Sequence, residues 1–537
     1  MIDWAPFYLA WSICFREYGM PLSPTLRVLP AMTPILVILA LMLIARWSAA
    51  RAGILGLLVT LAIAWVAFGY GREVYPGLGP VRATTGALAE AVSATFTILW
   101  IIFPALLIHQ VQVRTGAIEV LRRSLARLTG DPHMVALLIG WFFALFFEGA
   151  AGFGTPVALT APLLVSVGFA PAMAVAVALI GHSVGVSFGA IGAPMVPLIT
   201  AAEFDSTGMS RAIGIYHLAL GWVMPLILMT IIRRHLPAGQ SRVRGIWGWT
   251  LLAGVLFLIP YYLIAYWVGP ELPSMGGALI GGAIFVMLLH YAERHTTIAP
   301  DEGDPLPVGR LIHAAAPYLA LVFLITATRL IPPLRQALTD VVWEWSLFGV
   351  FRGSILPLYQ SGTMLFAAFL LGALWQRPPW AMVRASFTTT IRGLGGVTVA
   401  LLTMLSLSRL MVHAGLTGTL AVAAAATAGG LWPLFSPFVG VLGTFITGSA
   451  TASNILFAEF QLATATDLGL PLLRLLGTQG FGAAVGNIIC PHNIIAGGAT
   501  VGLAGREGDV LRRTLWPCLL YAGLGGIMAL LLVTAGI

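Results

Sequence analysis

The chain has 537 residues, of which 59% are hydrophobic and 9% charged, with a formal net charge of +8 and a mean hydropathy of +0.94. A soluble domain carries roughly 25% charged residues, so this chain cannot cover a water-facing surface and its solvent must be lipid. The positive charge is no nucleic-acid signature, because the arginines sit in short loops between apolar runs. The three cysteines, Cys14, Cys490 and Cys518, show neither CxxC nor metal-ligand spacing, which speaks against disulfides and a bound metal.

Asp3 precedes a short aromatic run without a basic n-region, so the N-terminus does not read as a secretory signal. Each membrane span needs about 20 apolar residues, and over this length that predicts about 12 to 14 spans. Apolar runs fall near 29–46, 53–70, 88–110, 133–147, 171–191, 212–232, 247–268, 275–291, 312–331, 362–376, 388–411, 432–447, 470–490 and 515–535. Four more stretches, 148–167, 182–200, 448–466 and 487–500, are apolar but broken by Gly, Pro, Ser or Thr, a composition that straight helices avoid.

The arginines orient the chain. Arg46 and Arg51, then Arg114, Arg122, Arg123 and Arg127, then Arg233, Arg234, Arg242 and Arg244 mark three cytoplasmic loops. The turn with Arg72, Glu73 and Arg82 then faces outward, with the N-terminus and the turn at 269–273. The mixed-charge segment 292–311 reads as a cytoplasmic linker, and 338–361 fits either an outer loop or a re-entrant piece. Trp141, Trp247, Trp249 and Trp267 are expected at the membrane interface.

Four glycine pairs recur at one offset: Gly116 and Gly415, Gly130 and Gly429, Gly149 and Gly448, and Gly181 and Gly480 all differ by 299. Both copies run loop, span, broken stretch, span, broken stretch. The loop after Gly116 carries arginines and its counterpart 414–431 carries no charge, as expected of two repeats of opposite orientation. The expected fold is an all-α polytopic membrane protein of two inverted repeats with re-entrant hairpins and broken helices. Its divisions are N-terminal helices over 1–87, a first repeat over 88–232, linking helices over 233–387 and a second repeat over 388–537.

Three constellations can carry chemistry. In the first, Glu148 stands in a long apolar region, where an ionisable group costs at least about 2.5 kcal/mol and is a functional candidate by default. Gly149, Gly152 and Gly154 let the backbone leave the helix, and Thr155-Pro156 can start a half-helix whose N-terminus suits a carboxylate. The second, the repeat partner of the first, gathers Thr447, Ser449, Thr451, Ser453 and Asn454 between apolar spans. Such groups need partners, and a hydroxylated anion would supply them. The third comprises His182, Ser183 and Ser187 with Gln479, Asn487, His492 and Asn493. Either histidine could meet an anion or carry a proton. Small-residue helix packing, Ser/Thr helix glue and neutral packing histidines are the bland alternatives for the three groups. There is no Walker loop and no HExxH, so neither ATP-driven transport nor a metalloprotease is read from this chain.

The run Phe147-Glu148-Gly149-Ala150-Ala151-Gly152-Phe153-Gly154-Thr155-Pro156-Val157-Ala158 resembles a signature of the lactate permease family of bacterial transporters. Ser436-Pro437-Phe438 through Thr447-Gly448-Ser449 to Ser453-Asn454 is similar to that family's second signature. So are Gly269-Pro270-Glu271-Leu272-Pro273 and Val501-Gly502-Leu503-Ala504-Gly505-Arg506-Glu507 to family segments. The resemblance implies proton-coupled uptake of lactate, glycolate or a similar 2-hydroxy-monocarboxylate across the bacterial inner membrane. It implies no cofactor, no enzyme activity, and a small organic anion, a proton and the bilayer as partners. Three departures stand out: Ala450 where the family has an acid, Asn487 where it has a lysine, and His182-Ser183 where it tends to Asn-Thr. An acid and a base lost together leave no unpaired buried charge. On this reading Glu148 is the proton carrier, with His182 a second proton-coupling candidate and His182 and His492 the replacements for the lost cation. The rivals are a carrier for a dicarboxylate or sulfonate with sodium or proton coupling, a passive anion channel, and, most remote, a membrane enzyme.

Overall fold

The computed structural model describes residues 24–45, 47–126, 129, 131–152, 154–202, 204–235, 245–293, 307–503 and 506–535. Asp3, Cys14, Arg46, Arg127, Gly130, Phe153, Arg242, Arg244, Ala504, Gly505 and the charged part of the linker, 294–306, lie outside them, as do the side chains of Arg122 and Arg123.

Among the described residues, ten helices are long and apolar enough to cross a membrane. An eleventh is counted if Ser206–Leu220 and Val223–His235, which meet at 42°, form one span. The expected number was higher because it took every apolar run as a span. The runs near 362–376 and 470–490 form helices of only 16 and 15 residues, Ser361–Gln376 and Leu472–Gly486, short of the roughly 20 needed. Segment 338–361 is neither a plain loop nor a re-entrant helix. Antiparallel strands Trp343–Leu347 and Phe351–Ile355 follow a short helix, Pro332–Thr339, so among the described residues the fold carries one β-hairpin. Its alternating aromatics suit a strand, and positive φ at Phe348 (+55°) and Gly349 (+73°) turns it. Trp345 Nε1 donates to Ser93 Oγ at 3.2 Å, seating the hairpin on helix Gly79–Arg114.

The repeat is visible in the element order. Helices Gly79–Arg114 and Trp380–His413 pack against each other. They end before left-handed glycines, Gly116 (φ +74°) and Gly415 (φ +84°), and lead into Ala117–Ala126 and Leu416–Ala428. Each copy continues with a helical hairpin: Pro132–Ala150 with Thr155–Ser166, and Trp432–Thr447 with Ala450–Asp467. Each then has a broken helix. Pro171–His182 passes through 3-10 geometry at Ser183–Phe188 into Val196–Ala202, and Leu472–Gly486 through Asn487–Ile489 into Pro491–Thr500. The copies interlock, since Thr155–Ser166 packs on Pro491–Thr500 and Ala450–Asp467 on Val196–Ala202.

These elements form the inside of the molecule. Pro132–Ala150 is buried at all but two positions and residues 172–195 are buried throughout, whereas most of Ala49–Val66 is exposed or half-buried. The outer helices expose Leu58, Val66, Phe323 and Leu374, as lipid-facing surfaces do. Trp247 and Trp267 are exposed and Trp249 is half-buried, but Trp141 is fully buried and donates Nε1–H to the Ala253 carbonyl at 3.3 Å. The span that carries Trp141 is surrounded by protein, so the interface preference does not apply to it.

Hairpin and broken helix meet through glycine in both repeats. A Cβ on Gly181 would lie 1.6 Å from the Gly140 carbonyl oxygen, and one on Gly482 would lie 2.0 Å from that of Pro437. Without side chains the backbones approach closely, which is how helices associate where lipid is the alternative neighbour. Gly181→Ala is expected to destabilise the protein by about 1–3 kcal/mol, the usual cost of overpacking. Its melting midpoint should drop, whereas Gly309→Ala, which would meet nothing within 4 Å, should leave it unchanged.

Candidate functional site

The first hairpin turns on its glycines. Helix Pro132–Ala150 contains a π-helical turn at Leu138–Phe143 and stops at Ala151. Gly152 (φ +54°) and Gly154 (φ +80°) reverse the chain, and Pro156 lies in the first turn of Thr155–Ser166, where its missing N–H costs nothing. Glu148, one turn before this reversal, is buried at 4% exposure.

Its carboxylate lies against the broken helix. A Cβ on Gly189 would fall 2.0 Å from Glu148 Oε1, so only glycine admits the carboxylate there. Glu148 Oε2 stands 3.8 Å from His182 Nε2, too far for a hydrogen bond and close enough for a shared proton to draw the two together. Beyond Gly189 the backbone is strained: Ala190 (φ +43°), Ile191 (φ +55°) and Gly192 (φ +77°) are all left-handed. Two side-chain-bearing residues in that region cost of order 1–3 kcal/mol each, a strain typical of functional segments.

His182 heads a chain of polar groups. Its Nδ1–H donates to the Ala178 carbonyl at 2.6 Å, leaving Nε2 to accept from Asn487 Nδ2 at 3.2 Å when the ring is neutral. Asn487 Oδ1 in turn accepts from Asn493 Nδ2. The structure thus brings Glu148, His182, Asn487 and Asn493 into one line across the two repeats.

The hairpin tips meet at the same place. A Cβ on Gly154 would lie 3.1 Å from Asn493 Oδ1, and one on Gly448 (φ +80°) would lie 3.1 Å from His492 Cβ. Three helices begin there: Thr155–Ser166, Ala450–Asp467 and Pro491–Thr500. First-turn N–H groups have no intrahelical partner and carry the positive end of the helix dipole. Three such ends converging give an anion a binding place without a fixed cation. His492 is exposed, Thr155 and Ser449 are half-buried, and Thr451 is buried with its hydroxyl making no hydrogen bond among the described residues.

Other sequence candidates are engaged in holding the fold. Gln479 Nε2 donates to Ser453 Oγ at 3.3 Å and Asn454 Oδ1 at 3.2 Å, and Asn454 Nδ2 donates to the Pro194 carbonyl at 2.8 Å. Thr447 Oγ1 bonds back to Gly443, and Ser449 Oγ caps its helix by accepting from Ala452 N–H. Ser183 bonds the Ile180 carbonyl. Ser187 lies in a separate buried chain, 2.9 Å from His217 Nε2, whose Nδ1 is 2.8 Å from the Tyr521 hydroxyl. Gly149 is a packing position against Met275, where a Cβ would fall 2.4 Å from backbone nitrogen. A cleft of about 580 Å³ lies elsewhere, between Thr85–Ser93 and the β-hairpin, and its apolar lining of Leu88, Ala89, Val92, Trp345 and Ile355 does not suit an anion.

Two ionic clusters escaped the sequence reading. Arg329 holds Glu271 Oε1 at 2.8 Å, stacks its guanidinium 3.7 Å above the Tyr359 ring and donates to the Tyr359 carbonyl, while Ser361 also donates to Glu271. Glu90, Arg409, His413 and Glu459 form the other. Glu90, Arg329 and Arg409 lie inside runs taken as plain spans, where an ionisable group is the signal that would have found them, whereas Glu271 lies in the 269–273 turn, Glu459 in a broken stretch and His413 just past the run 388–411.

The family described as L-lactate permease matches residues 27–535. The L-lactate permease of Streptococcus iniae is 29% identical over 443 residues, covering 82% of this chain and 91% of its own. Glycolate permease GlcA of Escherichia coli is 28% identical over 575 aligned positions, covering 99% and 98%. The crystal structure of the Alcanivorax borkumensis YdaH transporter superposes with a TM-score of 0.50 at 15% identity, covering 91% of this chain and 99% of that one, a likeness of fold.

Proposed function

The chain belongs to the L-lactate permease family, and on that premise we propose that it takes up lactate, glycolate or a similar 2-hydroxy-monocarboxylate by proton symport across the bacterial inner membrane. The observation that carries this reading is the meeting of three helix N-termini at His492 and Asn493, beside the buried Glu148–His182 pair. The substrate carboxylate sits on the helix ends, where its charge is matched by dipoles rather than by a base. Its hydroxyl bonds the hydroxyl of Thr451 or Thr155, and Glu148 takes up and releases the proton. Asn487 and Ala450 agree with such a site, since the chain contains no lysine at all and a lone buried acid at 450 would be unpaired. Movement of the hairpins and broken helices against the surrounding bundle then exchanges access between the two sides.

The test is uptake of labelled lactate and glycolate into proteoliposomes, with and without an inward proton gradient. Accumulation above equilibrium under the gradient is expected. Folded protein that takes up neither acid sinks the substrate assignment. Accumulation driven by a sodium gradient alone sinks the coupling.

A further inference from the structure

The long helices of the two repeats cross twice, and the two crossings are related by the repeat offset. At one end Arg114 donates to Gln110 Oε1 at 3.0 Å and to Thr389 Oγ1 at 2.8 Å, with Ser386 Oγ at 3.5 Å. At the other, His413 Nε2 lies 2.9 Å from Glu90 Oε2, and Arg409 stands one turn earlier on the same helix. His413 corresponds to Arg114 (413 − 114 = 299), Glu90 to Thr389 (389 − 90 = 299) and Arg409 to Gln110 (409 − 110 = 299). The first crossing closes with one permanent cation and neutral partners. Carboxylates are therefore not needed to hold these helices together, yet the second crossing carries two.

We propose that Glu90, Arg409, His413 and Glu459 form a second proton-binding site, apart from Glu148, at the end of the helix pair away from Arg114. Two carboxylates face one guanidinium: Arg409 Nη1 is 3.3 Å from Glu459 Oε1, and Nε is 3.9 Å from Glu90 Oε2. The set is neutral only when one more proton is bound, and the imidazole between them is the group suited to hold it. All four side chains are mostly buried, between 12% and 21% exposed, so the missing charge is poorly screened.

The surroundings fit both protonation states. The Tyr75 hydroxyl is 3.1 Å from His413 Nδ1, and it donates to the neutral ring or accepts from the charged one. Burial, with Glu90 adding to it, pushes the Tyr75 hydroxyl up to about 12, so it keeps its own proton. Tyr70 stands edge-on to Tyr75, and the backbone N–H of Arg352 donates to Glu90 Oε1 at 3.3 Å. Arg72, Glu73 and the Arg352 side chain are exposed. Helices Leu416–Ala428 and Trp432–Thr447, packed on Ala450–Asp467, contain no titratable residue. Because Glu459 belongs to the second hairpin and Arg409 to a long helix outside it, a proton here changes the ion pairing between those two bodies.

The test counts protons taken up by the purified full-length protein on acidification from about pH 9 to about pH 6, read with an indicator dye. Glu90→Gln is expected to take up about one proton fewer per chain than wild type, although a glutamate ordinarily titrates near 4.3, well below that range. His413→Gln should lose the same proton. Should Glu90→Gln fail to give a sharp melting transition, Glu459→Gln takes its place with the same expectation, because it too leaves the cluster neutral without the extra proton. Uptake by the folded carboxylate variant equal to that of wild type overturns the proposal. The count needs no substrate, so its outcome is separate from that of the uptake assay.

Discussion

Glu148→Gln is expected to reduce proton-driven uptake to the level of vesicles without protein, while exchange of labelled for unlabelled substrate across the membrane continues. Glutamine has nearly the shape of glutamate and fills the notch opened by Gly189, where the carboxylate lies against backbone with no room for a Cβ. It keeps an acceptor and a donor for neighbours such as His182 but cannot take or release a proton. Net symport needs that proton on every cycle, whereas exchange returns each protein loaded and needs no net proton movement. The two assays therefore separate a coupling role from a structural one. Loss of both uptake and exchange from a protein with a normal melting transition would move Glu148 from coupling to substrate binding. Undiminished uptake would remove it from the mechanism, and His182 would become the first candidate for the proton.

The fold was legible where composition acts over long stretches. Lipid as solvent, the helical spans, both hairpins and both broken helices follow from apolar runs interrupted by Gly, Pro, Ser and Thr. The 299-residue offset was visible in glycines because the repeats use them at the same mechanical points, as at the left-handed Gly116 and Gly415. The number of spans was not, since a re-entrant arm and a membrane-crossing helix are equally apolar and differ only in length and partner. The β-hairpin was hidden for a related reason: ten strand residues in an apolar chain give a short alternating signal.

The site was legible in residue type and less so in geometry. Glu148 and the tip glycines could be singled out because a charge or a break in an apolar run has few structural excuses. Which hydroxyls face a ligand could not be read, because Ser and Thr in a membrane bond their own backbone as readily as a substrate. Ser183 and Thr447 do so, while Thr451, two residues beyond Ser449, does not. The contact between His182 and Asn487 joins residues 305 apart and depends on how the repeats interlock, which local sequence does not encode.

Asn487→Leu should be the most damaging single change to stability in the site. Asn487 bonds in two directions, giving Nδ2–H to His182 Nε2 and receiving Asn493 Nδ2–H on Oδ1. Leucine, of similar size, fills the space and removes both bonds. The partners remain buried, His182 fully and Asn493 at 3% exposure, and each is left with an unmet polar atom. An orphaned buried group costs about 1–3 kcal/mol, so the expected loss is about 2–6 kcal/mol. That is a large part of the 5–15 kcal/mol that typically separates folded from unfolded protein. The readouts are yield after detergent extraction and the melting midpoint. Asn487→Asp separates lost bonding from lost shape: the acid keeps the acceptor that Asn493 needs but offers His182 Nε2 no donor unless a proton lies between them. It should therefore melt higher at about pH 5.5 than at about pH 8, whereas Asn487→Leu should melt low at both. A leucine variant as stable as wild type would mean that the chain from Glu148 to Asn493 is not what holds the two broken helices together.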